Sequence, residues 1–321
     1  MIYPILTPVP AHCRRVMVFD VETTGLVPRN IKLDQITPEM LLELPHIIQL
    51  SFAVYNIVSN RIEKTYNAYI SVPEEVVISE RITEITGITR EIIREKGKPI
   101  VPVLELFYQT YTKCDMVIAH NLSFDQTMIG IEIERNAAAI VQSPSAVCSI
   151  ADMKALFTYA FNEKHSIDLY CTMMATISLC RLPNVRTVSP PILVEETSLL
   201  KTIVDAPTQM AVNDCGILSP VTIPKFETIR REDTHSPVIP ESSSIVAPTS
   251  KLIKPILRRN TNYDFKYPRL SELHNVLFGA VPENLHNAMV DVLVCLRCFL
   301  KIRCCLDVPE KSFDRMLRNA L

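Results

Sequence analysis

Val18-Phe19-Asp20-Val21-Glu22-Thr23-Thr24-Gly25-Leu26 is the stretch on which the reading of the whole chain turns. An apolar run from Val16 to Phe19 leads into two carboxylates spaced i, i+2, and two threonines and a glycine follow at once. Residues 16–22 read as a β-strand, and its period of two places Asp20 and Glu22 on one face. Two like charges side by side on a core strand repel, a cost usually tolerated where a cation sits between them. The plainer reading is a strand ending in a polar turn that happens to hold two acids. The motif is short and does not decide the matter alone. Carboxylates further down the chain have to decide it.

The chain has 321 residues, enough for one large domain or two ordinary ones with a sizeable core. Hydrophobic residues make up 48% and charged residues 21%, which is ordinary globular material. A formal net charge of −2 excludes a general basic field, so any nucleic-acid contact has to come from a local patch. No apolar run reaches the roughly 18 residues of a membrane span. The most hydrophobic segment, 289–305, is interrupted by Asp291, Arg297, Lys301 and Arg303. Residues 1–10 lack a basic start and are broken by Pro4, Pro8 and Pro10, which argues against a secretory signal. The ten cysteines sit mostly in apolar segments and read as reduced, buried thiols. Cys295, Cys298, Cys304 and Cys305 lie in a helical pattern with no spaced ligand loop, so packing is preferred to a zinc site. A soluble intracellular protein without a membrane partner is expected, with cytoplasm, nucleus and a viral replication compartment all left open.

Past the opening turn, 27–45 reads as a loop with a short helical piece at 37–43. Residues 47–55 and 61–70 read as the second and third strands, antiparallel across the turn at Ser59-Asn60. Short helices follow at 79–87 and 89–96, with Ser79 and Thr89 as caps and Gly87 and Gly97 as stops. Residues 99–113 form an amphipathic helix with Val103, Leu106, Phe107, Thr110 and Tyr111 on its apolar stripe. Met116-Val117-Ile118-Ala119 is a buried strand that runs into His120-Asn121-Leu122-Ser123-Phe124-Asp125 and a helix to about 139. A helix over 151–161, a strand at 167–170 and a helix from Cys171 to near Cys180 come next. Residues 185–262 then hold nine of the 23 prolines, many Ser and Thr, and one glycine. That composition predicts an inserted segment, disordered or loosely attached. Order returns at Tyr263, with helices at 270–279, from about 286 to 304, and from 309 to 321.

Leu285-His286-Asn287-Ala288-Met289-Val290-Asp291 completes a constellation. The histidine stands at the mouth of a helix, and the small Ala288 lets a backbone or ligand come close. A satisfied core residue is the plain reading of a histidine, as for His12, His46, His165 and His274. An aspartate in so apolar a helix needs a partner or a metal. Asp20, Glu22, Asp125 and Asp291, with His286 near the last, supply what two-metal phosphodiester hydrolysis requires. Mg²⁺ or Mn²⁺ suits an all-oxygen site, and two such ions sit roughly 3.5–4 Å apart in enzymes of this kind. Histidine, with an ordinary pKa of about 6.5, suits removal of a proton from water.

Three motifs in this order resemble the DEDDh (DnaQ-like) superfamily of 3′→5′ exonucleases. They are Phe19-Asp20-Val21-Glu22-Thr23-Thr24-Gly25-Leu26, Ala119-His120-Asn121-Leu122-Ser123-Phe124-Asp125 and His286-Asn287-Ala288-Met289-Val290-Asp291. Ile85-Thr86-Gly87-Ile88-Thr89 and the step at Tyr170-Cys171-Thr172-Met173 match connecting features of the family. The resemblance covers about residues 14–181 and 263–305, and around 270–300 it is similar to standalone exonucleases of large DNA viruses. It implies an α/β, RNase H-like fold: a mixed five-stranded sheet with strand 2 antiparallel, flanked by helices. The five strands read above agree with that. It implies Asp20, Glu22, Asp125 and Asp291 as catalytic ligands of two Mg²⁺ or Mn²⁺ ions, and His286 as general base. Thr23, Thr24 and Leu26 fall where the family holds the terminal nucleotide, through backbone amides and an apolar wedge. Asn121 and Phe124 fall on the substrate side of the second motif, and His120 is expected to be structural. The implied exonuclease domain is discontinuous, 14–184 and 263–305, followed by a C-terminal helix at 306–321. The insert at 185–262 departs from the family pattern, bears on substrate choice, and offers a tether for a protein partner.

The expected reaction is metal-dependent 3′→5′ exonuclease action on single-stranded or frayed nucleic-acid 3′ ends, DNA favoured, in proofreading or repair, releasing nucleoside 5′-monophosphates. The alternatives are an RNA or oligoribonucleotide exonuclease on the same fold and a non-catalytic, polymerase-associated nucleic-acid-binding module. The complete set of carboxylates and the histidine weighs against the last. Residues 251–269 carry Lys251, Lys254, Arg258, Arg259, Lys266 and Arg269 against Asp264 alone. That run is either a phosphate-tracking strip or a solvated linker edge.

Overall fold

The computed structural model describes residues 8–28, 31–144, 148–184 and 265–320. The insert expected at 185–262, and with it Lys251, Lys254, Arg258 and Arg259 of the basic run, lies outside the described residues.

The opening stretch is the central strand of a five-stranded sheet. β1 spans Arg15–Thr23. After a single 3-10 turn and the short helix α1 (Pro38–Glu43), the chain forms β2 (Ile47–Asn56) and β3 (Arg61–Tyr69). Helices α2 (Glu80–Thr86), α3 (Arg90–Lys96) and α4 (Ile100–Tyr111) lead to β4 (Met116–Ala119) and α5 (Leu122–Arg135). Then come α6 (Ala137–Val141), α7 (Ile150–Ala155), α8 (Tyr159–His165), β5 (Asp168–Cys171), α9 (Thr172–Ala175) and α10 (Ile177–Cys180). After the insert, α11 (Leu270–Phe278), α12 (Ala288–Arg303) and α13 (Glu310–Ala320) close the chain.

The strand order is β3-β2-β1-β4-β5. β2 runs antiparallel to both β1 and β3, while β4 is parallel to β1 and to β5. The alternation of β1 divides its side chains between two cores. Met17, Phe19 and Val21 face a cluster that includes Phe107 and Tyr111 of α4 and Met128 and Ile129 of α5. Val16 and Val18 face the apolar side of α12, with Val292, Leu293, Leu296 and Phe299. Asp20 and Glu22 continue this second face, beyond the point where apolar packing ends. Helix α13 seats Phe313 in the same core. Its Glu310 pairs with Arg297, which is 3% exposed and lies over the rings of Phe278 and Phe313.

Local signals held at most boundaries. Ser79 and Thr89 cap α2 and α3 through their side chains, and Gly87 ends α2 in the left-handed region at φ 71°. Gly97 also follows a helix end, but in an extended conformation. The helix predicted over 151–161 is instead two helices, α7 and α8. Between them Phe157 takes φ 65°, and its ring reaches Phe19 and Tyr111 at centroid distances of 5.8 and 5.2 Å. Burial of that aromatic outweighs helix continuity, and Thr158 starts the second helix as its cap. Likewise the helix expected to reach about 139 breaks at Asn136, and the one expected over 171–180 is two single turns. On α4 the stripe includes Leu104 and Glu105, while Leu106 is half-buried.

Of the histidines read as core residues, His274 is buried and His46 half-buried, whereas His12 and His165 are exposed. Both of those sit at the periphery, His165 in the last turn of α8. The nine described cysteines are free thiols. Cys295 and Cys298 are buried inside α12, where burial pushes both thiols up, which suits packing and not metal ligation. Cys305 is exposed, unlike the buried thiol expected there. No helix among the described residues is long and apolar enough to cross a membrane.

Candidate active site

The acidic site forms where β1 outruns its parallel neighbour. The β1–β4 ladder ends at the pair Val18 and Ile118, so the backbone of β1 beyond it lacks strand partners on that side. Asp125, in the first turn of α5, takes up the released Val21 amide through Oδ1 at 3.2 Å. This bond fixes the α5 carboxylate beside Asp20 and Glu22. From the other direction α12 starts at Ala288, with Asp291 in its first turn. Ala288 is fully buried at this helix start, and its amide is bonded to Gln49 of β2.

One ligand atom each from Glu22, His286 and Asp291 lies within 4.8 Å of the others. Asp20 and Asp125 stand outside that trio but share its field. Burial, followed by the charges of Asp125, Asp291 and Glu22, raises the Asp20 carboxyl well above its ordinary range. Burial, then Asp291 and Asp125, pushes Glu22 up to about 8. Asp125 rises to about 7 through burial, against the hydrogen bond from Val21 that favours its charge. Asp291 rises to about 7 for the same reason, against a bond from the His286 amide. Four carboxylates therefore share one field, and among the described residues no Lys or Arg offsets it.

Whether these residues suit a divalent cation can be judged from Asp291. Its Oδ2 accepts the His286 N–H at 3.1 Å, while its Oδ1 is buried and has no hydrogen-bond partner among the described residues. A buried, unpaired carboxylate oxygen among three further carboxylates is a costly arrangement unless a hard cation completes it. The donor set is mostly oxygen, which fits Mg²⁺ or Mn²⁺.

His286 is exposed and sits before the helix, on backbone with φ 69°. A non-glycine residue held in the left-handed region marks local strain of the kind found at functional sites. Asn287 caps α12, its Oδ1 accepting from the Met289 amide. Thr23 and Thr24 spend their hydroxyls on the turn. Thr23 donates to the Gly25 carbonyl at 2.7 Å, and the Thr24 hydroxyl accepts from the His46 amide at 3.0 Å. The Thr24 amide donates to the His46 carbonyl, which locks the turn against the start of β2. Leu26, 86% exposed, projects from that turn as an apolar tip. Asn121 is exposed at the start of α5, while Phe124 leans half-buried on the core. His120 ties structure together: its Nδ1 meets Thr172 Oγ1 and its Nε2 meets the Pro268 carbonyl, both at 3.0 Å. Of the two described cations in the basic run, Lys266 is paired with Glu272, and Arg269 is exposed.

A second layer beside these residues escaped the sequence reading. Gln49 of β2 pairs across the ladder with Glu22, and Ser51 with Asp20. Gln49 donates to Asn67 Oδ1 at 2.9 Å and to Asn287 Oδ1 at 3.4 Å, and its Oε1 accepts the Ala288 amide at 3.2 Å. Ser51 donates to the same Asn67 oxygen at 2.9 Å. The signal was present as two polar residues spaced i, i+2 inside the otherwise apolar run of β2.

A mixed five-stranded sheet with one antiparallel strand, carrying acids on its central strand and on two helices beside it, is an RNase H-like nuclease scaffold. Within that class the chain belongs to the RNase T exonuclease family, whose model matches residues 17–188. A DNA polymerase III of PolC type from Streptococcus pyogenes serotype M2 (strain MGAS10270) is 31% identical over 133 residues, which is 41% of this chain and 8% of that protein. The same type of polymerase from S. pyogenes serotype M5 (strain Manfredo) matches to the same extent. The matched stretch is thus a small part of those polymerases. A structure of exonuclease I aligns with 95% of this chain and 44% of its own, at 13% identity and a TM-score of 0.46. Another, of Escherichia coli exonuclease I in complex with a dT13 oligonucleotide, aligns with 95% and 43%, at 14% identity and a TM-score of 0.46.

Proposed function

We propose that this chain is a divalent-metal-dependent 3′→5′ exonuclease of the DEDDh type, acting on single-stranded or frayed 3′ ends and releasing nucleoside 5′-monophosphates. The observation that carries this reading is the convergence of Glu22, His286 and Asp291, with the buried Oδ1 of Asp291 left without a partner. Asp20, Glu22, Asp125 and Asp291 are the ligands for two Mg²⁺ or Mn²⁺ ions. When bound, such ions neutralise the charge on the attacking and leaving oxygens of the phosphodiester. His286, exposed at the edge of the acidic pocket, removes the proton from the attacking water through a ring nitrogen. A ring nitrogen of this exposed histidine lies within 4.8 Å of Asp291, and the backbone amide bonded to Asp291 holds the residue there.

The turn after β1 receives the terminal nucleotide. With the Thr24 amide already bonded, Leu26 is the element free to press on the terminal base. Asn121 and Phe124, from the second motif, are assigned to the substrate side of the same site. DNA is the favoured substrate because the relatives matched over 133 residues are DNA polymerases, which points to proofreading or repair. The three motifs lie outside the Pro-, Ser- and Thr-rich residues 185–262, and a protein partner bound through that segment would direct the enzyme without altering its reaction. The deciding experiment incubates the protein with 5′-labelled and 3′-labelled DNA and RNA strands in Mg²⁺, Mn²⁺ or EDTA. Metal-dependent shortening from the 3′ end is expected, faster on DNA. Absence of such shortening on every strand refutes the proposal, and faster RNA cleavage reassigns the substrate.

A further inference from the structure

We infer that Gln49 is a positioning residue for His286, setting the histidine's place over the acidic pocket from within the sheet. This rests on His286 acting as proposed above. Gln49 is 0% exposed, on a strand whose buried side chains are apolar apart from Gln49 and Ser51. A buried amide must use its polar atoms, and here both of them reach the segment that follows His286. Its oxygen holds the amide of Ala288, two residues past His286. Its nitrogen reaches Oδ1 of Asn287, the adjoining residue, and Asn67 on the far strand.

Asn67 anchors the arrangement. Its Oδ1 takes two donors, from Gln49 and Ser51, so the amide plane of Gln49 is fixed from behind before it meets the helix. Glu22 shares a rung of the β1–β2 ladder with Gln49. One cross-strand pair therefore carries both a carboxylate of the pocket and the amide that grips the histidine's loop. The loop itself is strained at Asn284 and His286, at φ 56° and 69°, and relaxes if released. A neutral amide also does what a carboxylate at this rung cannot: it donates toward Asn67 and Asn287 without adding a fifth negative charge beside Glu22.

Gln49→Leu keeps the side chain's bulk and removes its hydrogen bonds. Expected is a fall in kcat of about 10- to 100-fold with KM changed less than about twofold, since Gln49 contacts no group placed at the substrate. In a His286→Ala background the same substitution should cost less than about threefold more, because the group it positions is gone. An equal loss in both backgrounds, or an unchanged kcat, overturns the inference. A second readout needs no activity: the His286 imidazole resonance, identified by its loss in His286→Ala, should shift or broaden in Gln49→Leu while His12 and His165 stay in place. An unmoved His286 resonance also overturns it. Should Gln49→Leu fail to fold, Asn67→Ala, on the half-buried edge strand, is put through the same two tests with the same expected signs. If the wild-type chain shows no nuclease activity, the proposed function falls, and the resonance experiment alone still decides whether Gln49 places His286.

Discussion

Replacing Asp291 with Asn should make the protein more stable without metal and useless with it. The Asp291 carboxyl stands at about 7 in the fold, against an ordinary 3.8. At about 1.36 kcal/mol per pH unit, keeping it ionised at pH 8 costs the metal-free fold about 4 kcal/mol as an upper bound. The neighbouring acids share this repulsion, and Asn brings a buried N–H to the place of the unpaired Oδ1, which takes back about 1 kcal/mol. The amide oxygen of Asn still accepts the His286 N–H that Oδ2 receives now. A net gain of about 2 kcal/mol remains, or a rise in melting temperature of about 4–8 °C for a domain of this size.

The sign follows from linkage. A carboxyl raised in the folded state stabilises the fold while protonated, and that stability is lost as pH rises through about 7. The loss accrues across the whole window from pH 3.8 to about 7, and about 2 kcal/mol of it falls between pH 5.5 and 7, so the gain from Asp291→Asn should be about 2 kcal/mol smaller at pH 5.5 than at pH 8. Thermal melts in EDTA at the two pH values test this. Added Mg²⁺ should then reverse the order, because wild type gains about 2.7 kcal/mol at a hundred times its dissociation constant and the variant gains less. An Asp291→Asn protein that melts no higher than wild type at pH 8 in EDTA refutes the account of the pocket as a site of unrelieved repulsion.

Asp20→Ala and Asp125→Ala should each lower cleavage at least about 10³-fold with far-UV dichroism unchanged, and full activity in either removes that residue from the ligand set. His286→Ala should depress kcat by about 10²- to 10⁴-fold while Mn²⁺ affinity, measured by calorimetry, stays within about threefold. A large loss of Mn²⁺ affinity would make His286 a ligand, a role its place within 4.8 Å of Glu22 and Asp291 permits. Burial holds His120 and His46 down to about 4, so both stay neutral in the fold. Their stability contribution should be complete above pH 6.5 and be lost as pH falls toward 4, visible as a falling denaturation midpoint that His120→Gln flattens. Arg297→Ala should cost about 2–3 kcal/mol by opening the packing over Phe278 and Phe313 and orphaning the Val308 carbonyl, read as a lower denaturation midpoint.

The parts of this molecule legible in the sequence are those governed by short periods and local caps. Alternation alone placed Asp20 and Glu22 on one face, and the apolar runs located all five strands to within about two residues. The caps at Ser79, Thr89 and Gly87 are contacts between near neighbours, so composition reveals them. What escaped depends on contacts distant in the chain. The break at Phe157 is imposed by rings of β1 and α4, and nothing within 151–161 announces it. Asp125 is legible as a helix-start acid, but its bond to Val21, 104 residues earlier, follows only from the point where β1 and β4 part.

Gln49 shows the same limit at the heart of the site. Read along the chain it is one polar residue in a strand, and polarity there is no more informative than an irregular alternation. Its meaning comes from a rung shared with Glu22 and from bonds to a segment 238 and 239 residues away. The three motifs hold the groups proposed to act on a phosphodiester, yet none contains what holds the third motif to the first. On the inference above, that task falls to a neutral amide on the adjoining strand, where a carboxylate would add to the repulsion already carried by Asp20, Glu22, Asp125 and Asp291. The acids of this pocket therefore constrain the chemistry of the residues behind them as well as that of the cation proposed to bind them.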